Sequence, residues 1–307
     1  LLMKVGSLCT GYGGLEMAVE SVFESTDLRF VSDIDKHANT LLTHHHPNVP
    51  NLGDLTKVDW RDVEQVDLLC AGYPCQPFSL AGNRKGEDDE RAIFEYIADG
   101  ISILRPRWLL LENVPGHLTL GGTSVIATLT KLGYDNIQWG IVRASDTGAP
   151  HKRARLFIWA QTSNTSSEGL QRRSSRRSAR LAEDVSGQDR QVASSNSNFV
   201  ADTNDCRLES VWSEHRLEKT SRETFCFSFF GPYEYVVRQW AEIVGRKPPV
   251  PVDDRGVEPK FVEWMMGLPE GHVTGLNLNR TAQLKMLGNG VVPQQGALAI
   301  ELLTALL

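Results

Sequence analysis

From residue 4 to residue 160, strand-length apolar runs alternate with stretches of helical apolar periodicity, and no other feature narrows the possible folds so far. Runs at 4–8, 28–32, 67–71, 108–111 and 156–160 each end near a polar residue or a glycine. Between them, Leu15, Ala18, Val19, Val22 and Phe23 recur at helical spacing, as do Ile93, Ile97, Ile101 and Leu104, and then Val125, Ile126, Leu129 and Leu132. Such alternation produces a parallel sheet with helices on both faces, so the expected class is α/β and Rossmann-like.

Composition removes several alternatives. Hydrophobic residues make up 41% and charged residues 23% of the 307, ordinary globular usage, and the apolar runs are too short to span a bilayer. The first residues carry one lysine and then a glycine-rich loop rather than a secretory leader, so a cytoplasmic protein with no membrane partner is expected. Five cysteines (Cys9, Cys70, Cys75, Cys206, Cys226) are an odd number without CxxC spacing, which suggests neither a disulfide framework nor a zinc site. A net charge of −6 argues against coating nucleic acid with the whole surface, so any such contact must be local. One local basic stretch is present, with Arg172, Arg173, Arg176, Arg177 and Arg180 set among serines.

That stretch belongs to a compositional break. From about Gln161 the chain turns to serine, arginine, asparagine and glutamine, and residues 165–198 offer little to bury, as in a mobile loop or a segment ordered by a partner. Phe225, Phe227, Phe229, Phe230, Tyr233 and Tyr235 then supply aromatics for a small second core. After prolines at 248, 249 and 251 the apolar pattern returns with Phe261, Trp264, Met265 and Leu268, and the chain closes on a helix rich in alanine and leucine. The domain reading is therefore a discontinuous unit, 1–161 with 258–307, interrupted by 162–257. His44, His45 and His46 are consecutive and converge poorly on one metal, so they are read as surface residues with no metal site.

In open α/β sheets ligands gather beyond the carboxyl ends of the strands, which directs attention to the residues just after each run. Gly72-Tyr73-Pro74-Cys75-Gln76-Pro77-Phe78-Ser79 follows one of them, and its two prolines restrict the backbone on either side of the Cys75-Gln76 pair. A cysteine taken at random is most often a small core residue, but a proline-braced loop is a poor place for core packing. The next run ends on Glu112-Asn113-Val114-Pro115, so a thiol and a carboxylate stand at neighbouring strand ends, as a nucleophile and a general acid must. The loop Cys9-Thr10-Gly11-Tyr12-Gly13-Gly14 lets backbone approach a ligand at a helix start, and Asp33, some twenty residues on, is where a carboxylate meets ribose hydroxyls. Together they favour an adenosine-containing cofactor.

These pieces, in this order, resemble the C5-cytosine DNA methyltransferase family of phage and bacteria. The ordered set is Gly11, Gly13 and Gly14, then Asp33, Gly53-Asp54-Leu55, Pro74-Cys75-Gln76, Glu112-Asn113-Val114, Arg153-Ala154-Arg155 and Gly288-Asn289-Gly290-Val291-Val292-Pro293. It covers the chain outside roughly 161–257. The resemblance implies a class I methyltransferase fold with an inserted target-recognition domain, S-adenosylmethionine as cofactor, double-stranded DNA as partner, a monomer, and a restriction-modification or phage setting. It implies Cys75 as nucleophile, Glu112 as the group contacting cytosine N3 and the exocyclic amine, Arg153 as the cation beside them and Arg155 as support for that cluster. Cys9, Tyr12, Gly13, Gly14, Asp33, Ile34, Asp54, Leu55, Pro74, Asn289, Gly290 and Val291 match cofactor-pocket positions, and Gln76, Ser79, Arg84 and Asn113 are expected to contact the substrate. Three positions depart from the pattern: Cys9 where phenylalanine usually faces the adenine ring, Tyr73 where phenylalanine is commoner, and His151 where glutamine often precedes the arginine pair. The first removes stacking area.

Cytosine C5 is a weak nucleophile, and addition of a thiolate at C6 makes the ring electron-rich. A free cysteine has a pKa of about 8.5, which a nearby guanidinium lowers. Neither ring carbon is reachable in stacked duplex, so the target nucleotide must be turned out into the site. Gly82 and Gly86 bracket a charged loop, 83–91, suited to close over it. The insert would reach phosphates and base edges with its arginines and serines. Competing readings are a tRNA cytosine methyltransferase, a catalytically silent DNA-binding relative, and a nicotinamide-dependent oxidoreductase, the last leaving Cys75, Glu112 and the arginine pair unexplained.

Overall fold

The computed structural model describes residues 2–74, 91–162 and 227–306. Cys75, Gln76, Ser79 and Arg84, the charged loop as far as residue 90, the segment 165–198 and Phe225 lie outside the described residues.

Within them the chain runs β1 (Met3–Leu8), α1 (Gly14–Val22), β2 (Thr26–Phe30), α2 (Lys36–His45), β3 (Leu68–Gly72), α3 (Arg91–Leu104), β4 (Trp108–Asn113), α4 (Thr123–Lys131), β5 (Tyr134–Val142) and β6 (Arg155–Thr162). After the insert come α5 (Glu234–Val244), a short hairpin of β7 (Val252–Asp253) and β8 (Gly256–Val257), α6 (Pro259–Met265), α7 (Arg280–Asn289) and α8 (Pro293–Thr304). The six long strands form one sheet in the order β2-β1-β3-β4-β6-β5.

The expected α/β class holds, with one correction to the all-parallel reading. β2, β1, β3 and β4 are parallel, whereas β6 runs antiparallel to both β4 and β5. The edge strand β5 was not among the expected strands, because its sequence mixes Asp135, Asn136 and Gln138 with apolar residues as a half-exposed edge permits.

Alternate residues of the central strands face opposite layers. Leu69, Leu109, Leu111 and Ile158 join α3 and α4 residues in one buried cluster, and Leu68, Trp108, Leu110, Phe157 and Trp159 join α1 and α8 residues in another. Burial on both faces is why these strands appear in the sequence as near-continuous apolar runs. A third cluster places Tyr12 with Phe230, Val237, Trp240, Phe261, Trp264 and Leu287. Of the aromatics expected to build a small second core, Phe230, Phe227 and Tyr233 pack here, while Phe229 and Tyr235 are exposed; Phe230 stacks on Phe261, and nearby Trp240 Nε1 donates to the Trp264 carbonyl at 3.0 Å. Among the described residues no helix is long and apolar enough to cross a membrane.

Candidate active site

The loop after β1 turns through three left-handed residues, Cys9 (φ 51°), Gly11 (φ 59°) and Gly13 (φ 87°), before α1 begins. Glycine serves at 11 and 13 because a side chain is strained at such φ values. The turn aims the Gly11 N–H at Asp33 Oδ2, 2.8 Å away, and Asp33 Oδ1 accepts the Asp35 N–H at 2.8 Å. Ile34, between those two aspartates, is 74% exposed, an apolar side chain at the mouth of a polar loop. Cys9 is half-buried, and burial followed by the charge of Asp33 pushes its thiol up to about 12, which disfavours the thiolate.

The C-terminal segment closes this edge. Tyr12 is fully buried and donates its hydroxyl to the Val291 carbonyl at 2.6 Å. A side chain on Gly14 would strike that same carbonyl, and one on Gly290 would overlap the Tyr12 ring, so glycine is required at both for the two segments to meet. Asn289 is exposed at the end of α7 and Val291 is buried. Thus Cys9, Tyr12, Gly13, Gly14, Asp33, Ile34, Gly290 and Val291, widely separated in the chain, lie along one edge. Asp54 accepts from the Thr56 N–H and hydroxyl and pairs with Lys57 at 2.9 Å, contacts that hold its carboxyl down at about 2. Leu55 beside it is buried in the first core cluster.

The second edge lies at the ends of β3, β4 and β6. Register pairs Gly72 with Glu112 and Glu112 with Phe157, so Arg155, two residues before Phe157, is a diagonal neighbour of Glu112 on the same face. Arg155 Nε meets Glu112 Oε1 at 2.9 Å. Glu112 is buried, and that burial raises its carboxyl to about 7, against the pull of Arg155 and Arg153 in the other direction. Asn113, also buried, donates Nδ2 to the Tyr73 carbonyl at 3.2 Å and accepts the Val114 N–H, which ties the β4 end to the chain entering Pro74.

Arg153 is placed differently from Arg155. Its backbone is left-handed (φ 37°), and its Nη2 donates to the carbonyls of Gly288 at 2.7 Å and Gly290 at 2.6 Å. It lies near enough to Glu112 to act on its charge, but the direct ion pair belongs to Arg155. His151 donates Nε2 to the Met265 carbonyl at 2.9 Å, and burial depresses its ring to about 4, so it anchors α6 as a neutral group.

Some residues of this region went unremarked in the sequence. Gln295, on α8, is fully buried and bonds to the carbonyls of Val142 and Arg153; the signal was a polar residue on the buried face of an alanine- and leucine-rich helix. Glu16, buried on α1, accepts the Ser7 hydroxyl. Among the described residues no group of histidine, cysteine and carboxylate side chains is arranged to hold a metal ion.

The chain belongs to the C-5 cytosine-specific DNA methylase family, whose model matches residues 3–299. It is 34% identical over 163 residues to the type II methyltransferase M.NlaX of Neisseria lactamica, an alignment covering 51% of each protein. It is 28% identical to M1.ScrFI of Lactococcus lactis subsp. cremoris across 99% of this chain and 78% of that protein, and 34% identical to the orphan methyltransferase M.Rho11sI of Bacillus phage rho11s across 51% of this chain and 32% of that one. The chain spans about half or less of the length of the first curated relatives it matches. In fold it is similar to S. pombe Dnmt2 (TM-score 0.62, 18% identity, 99% of both chains) and to a prophage-encoded DNA modification methyltransferase from E. coli (TM-score 0.59, 18% identity, 99% of both chains).

Proposed function

We propose that the protein transfers a methyl group from S-adenosylmethionine to C5 of a cytosine turned out of double-stranded DNA, with Cys75 as the covalent nucleophile. The observation that carries this reading is the buried Glu112–Arg155 pair at the strand end next to the one that leads into Pro74 and Cys75. Family membership implies the cofactor. The residues present fit it: open space around Gly11, a carboxylate at Asp33 and the exposed face of Ile34 match the phosphate-free, hydroxyl-bearing, aromatic character of the adenosyl group.

S-adenosylmethionine, when bound, supplies an electrophilic methyl group for an electron-rich C5. The chain's part is to make C5 electron-rich and to hold the ring. The Cys75 thiolate forms a bond to C6, and the electron pair displaced from the ring accumulates toward N3. Glu112, whose carboxyl sits near neutrality, holds a proton there to offer to N3. Arg155 fixes the orientation of that carboxyl through its Nε, and with Nη1 donating to the Ala154 carbonyl it offers Nη2 to the ring. Arg153 acts one step back, holding the loop of Gly288 and Gly290. The segment 162–257 is proposed as the target-recognition domain, its arginines meeting phosphates and base edges.

The test is covalent capture on duplex DNA containing 5-fluorocytosine, where loss of the C5 proton is blocked and an active enzyme stays attached. Wild-type protein should form the adduct and Cys75→Ser should not. Methyl incorporation into tRNA but not into DNA would overturn the choice of substrate.

A further inference from the structure

A reciprocal clasp joins the arginine segment to the C-terminal segment across the whole insert. In one direction, the Arg153 guanidinium reaches the carbonyls of Gly288 and Gly290. In the other, the side-chain amide of Gln295 donates to the carbonyl of Arg153 itself, at 2.7 Å, and to that of Val142, also at 2.7 Å. Val142 ends β5 and Arg153 stands just before β6, so the one NH₂ group of Gln295 brackets both ends of the connection between these strands. Both partners are acceptors, which fixes the amide orientation: a flipped side chain would set its oxygen against two carbonyl oxygens.

Packing alone does not account for Gln295. It is 0% exposed, its Oε1 is buried without a hydrogen-bond partner, and its neighbours on the helix are Gly296, Ala299 and Ile300. An amide oxygen left unpaired in the interior is unfavourable, so the glutamine is retained for the two carbonyls that its NH₂ group holds. What the glutamine supplies is direction. It holds the carbonyl of a residue whose backbone is in a left-handed conformation (φ 37°), one that a bulky side chain adopts only when its surroundings impose it.

We propose that Gln295 is a positioning residue: by holding the Arg153 backbone it aims the Arg153 guanidinium at the 288–290 loop, and so keeps the cofactor edge in register with the Glu112–Arg155 pair. The connection is continuous. Gly290 lies under the Tyr12 ring, Tyr12 bonds to Val291, and Arg155 begins β6 two residues after Arg153. This inference rests on the proposed methyltransferase reading.

The experiment measures S-adenosylhomocysteine binding by calorimetry, with the full chain, for wild type, Gln295→Leu, Arg153→Met and the double variant. Gln295→Leu should weaken binding at least tenfold while keeping the wild-type far-UV spectrum. The double variant should bind no worse than the weaker single variant, because the two side chains form one device. Wild-type affinity in Gln295→Leu, or losses that multiply in the double variant, would overturn the proposal. Should Gln295→Leu fail to fold, Gln295→Glu decides: a protonated glutamic acid keeps one donor, so its affinity relative to wild type should recover severalfold from pH 8 to pH 6, and a flat ratio overturns the clasp. Wild-type protein that binds S-adenosylhomocysteine yet methylates no DNA would defeat the functional reading alone, whereas absence of binding would defeat both.

Discussion

Two carboxylates stand at strand ends of the same sheet, Asp33 beyond β2 and Glu112 on β4, and the chain treats them in opposite ways. Asp33 is partly exposed, and its oxygens accept backbone N–H groups from Gly11 and Asp35. Glu112 is buried, paired with Arg155, and raised to about 7. One is fixed as an acceptor of backbone N–H groups, the other is a carboxyl that burial raises toward neutrality. The lesson is that residue type and position relative to the strand do not set the role; desolvation does, since it penalises the charged form only where water is excluded.

The largest expected effect comes from taking the proton away from the buried member. Glu112→Gln keeps the shape but cannot release a proton, so single-turnover methylation should slow by about a hundredfold. Affinity for S-adenosylhomocysteine should stay near the wild-type value; a parallel loss of binding would mean the two edges do not have separate roles. Asp33→Ala should produce the mirror image. Removing a charged acceptor for ligand hydroxyls should weaken S-adenosylhomocysteine binding by about tenfold, with the methylation rate at saturating cofactor little changed. A slow Asp33→Ala enzyme with unaltered binding would break the comparison from the other side.

The seam between the two edges is tested by Gly290→Ala, whose added methyl overlaps the Tyr12 ring. Forced overpacking of this kind costs about 1–3 kcal/mol, visible as a lowered urea midpoint. The smallest effect sharpens the role of burial. Glu16 is buried, with no guanidinium among the described residues paired to it, and desolvation raises its carboxyl to about 7 despite the Ser7 hydroxyl, which pulls the other way. A folded-state value above the unfolded one means that its contribution to stability is present at low pH and lost as pH rises through about 7. Glu16→Gln does not titrate, so its melting temperature relative to wild type should rise between pH 5 and pH 8, by roughly 2–4 °C. A constant difference across that range would show that Glu16 is not held in this way.

Several of these features were legible before any coordinates. The runs ending at Leu8, Ala71 and Leu111 became β1, β3 and β4 because strands buried on both faces must be apolar throughout, and a continuous apolar run needs no partner to be recognised. The glycines at 11, 13 and 14 and the carboxylates at 33 and 112 were found for a related reason: a strand end followed by a polar loop is a local pattern. The half-exposed β5 was not legible, because an edge strand carries polar residues that weaken its periodicity, and the reversal of β6 was not, because strand direction is a property of pairing.

Local sequence therefore determined the elements, the glycine turns and the set of chemically capable residues. Tertiary structure alone decided which arginine faces Glu112, that Arg153 holds the 288–290 loop, and that a buried glutamine near the chain's end holds Arg153 in turn. The physical reason is distance along the chain. Those contacts join residues 43 to 142 positions apart, and a hydrogen bond or an ion pair between such residues leaves no periodic or compositional trace in either segment.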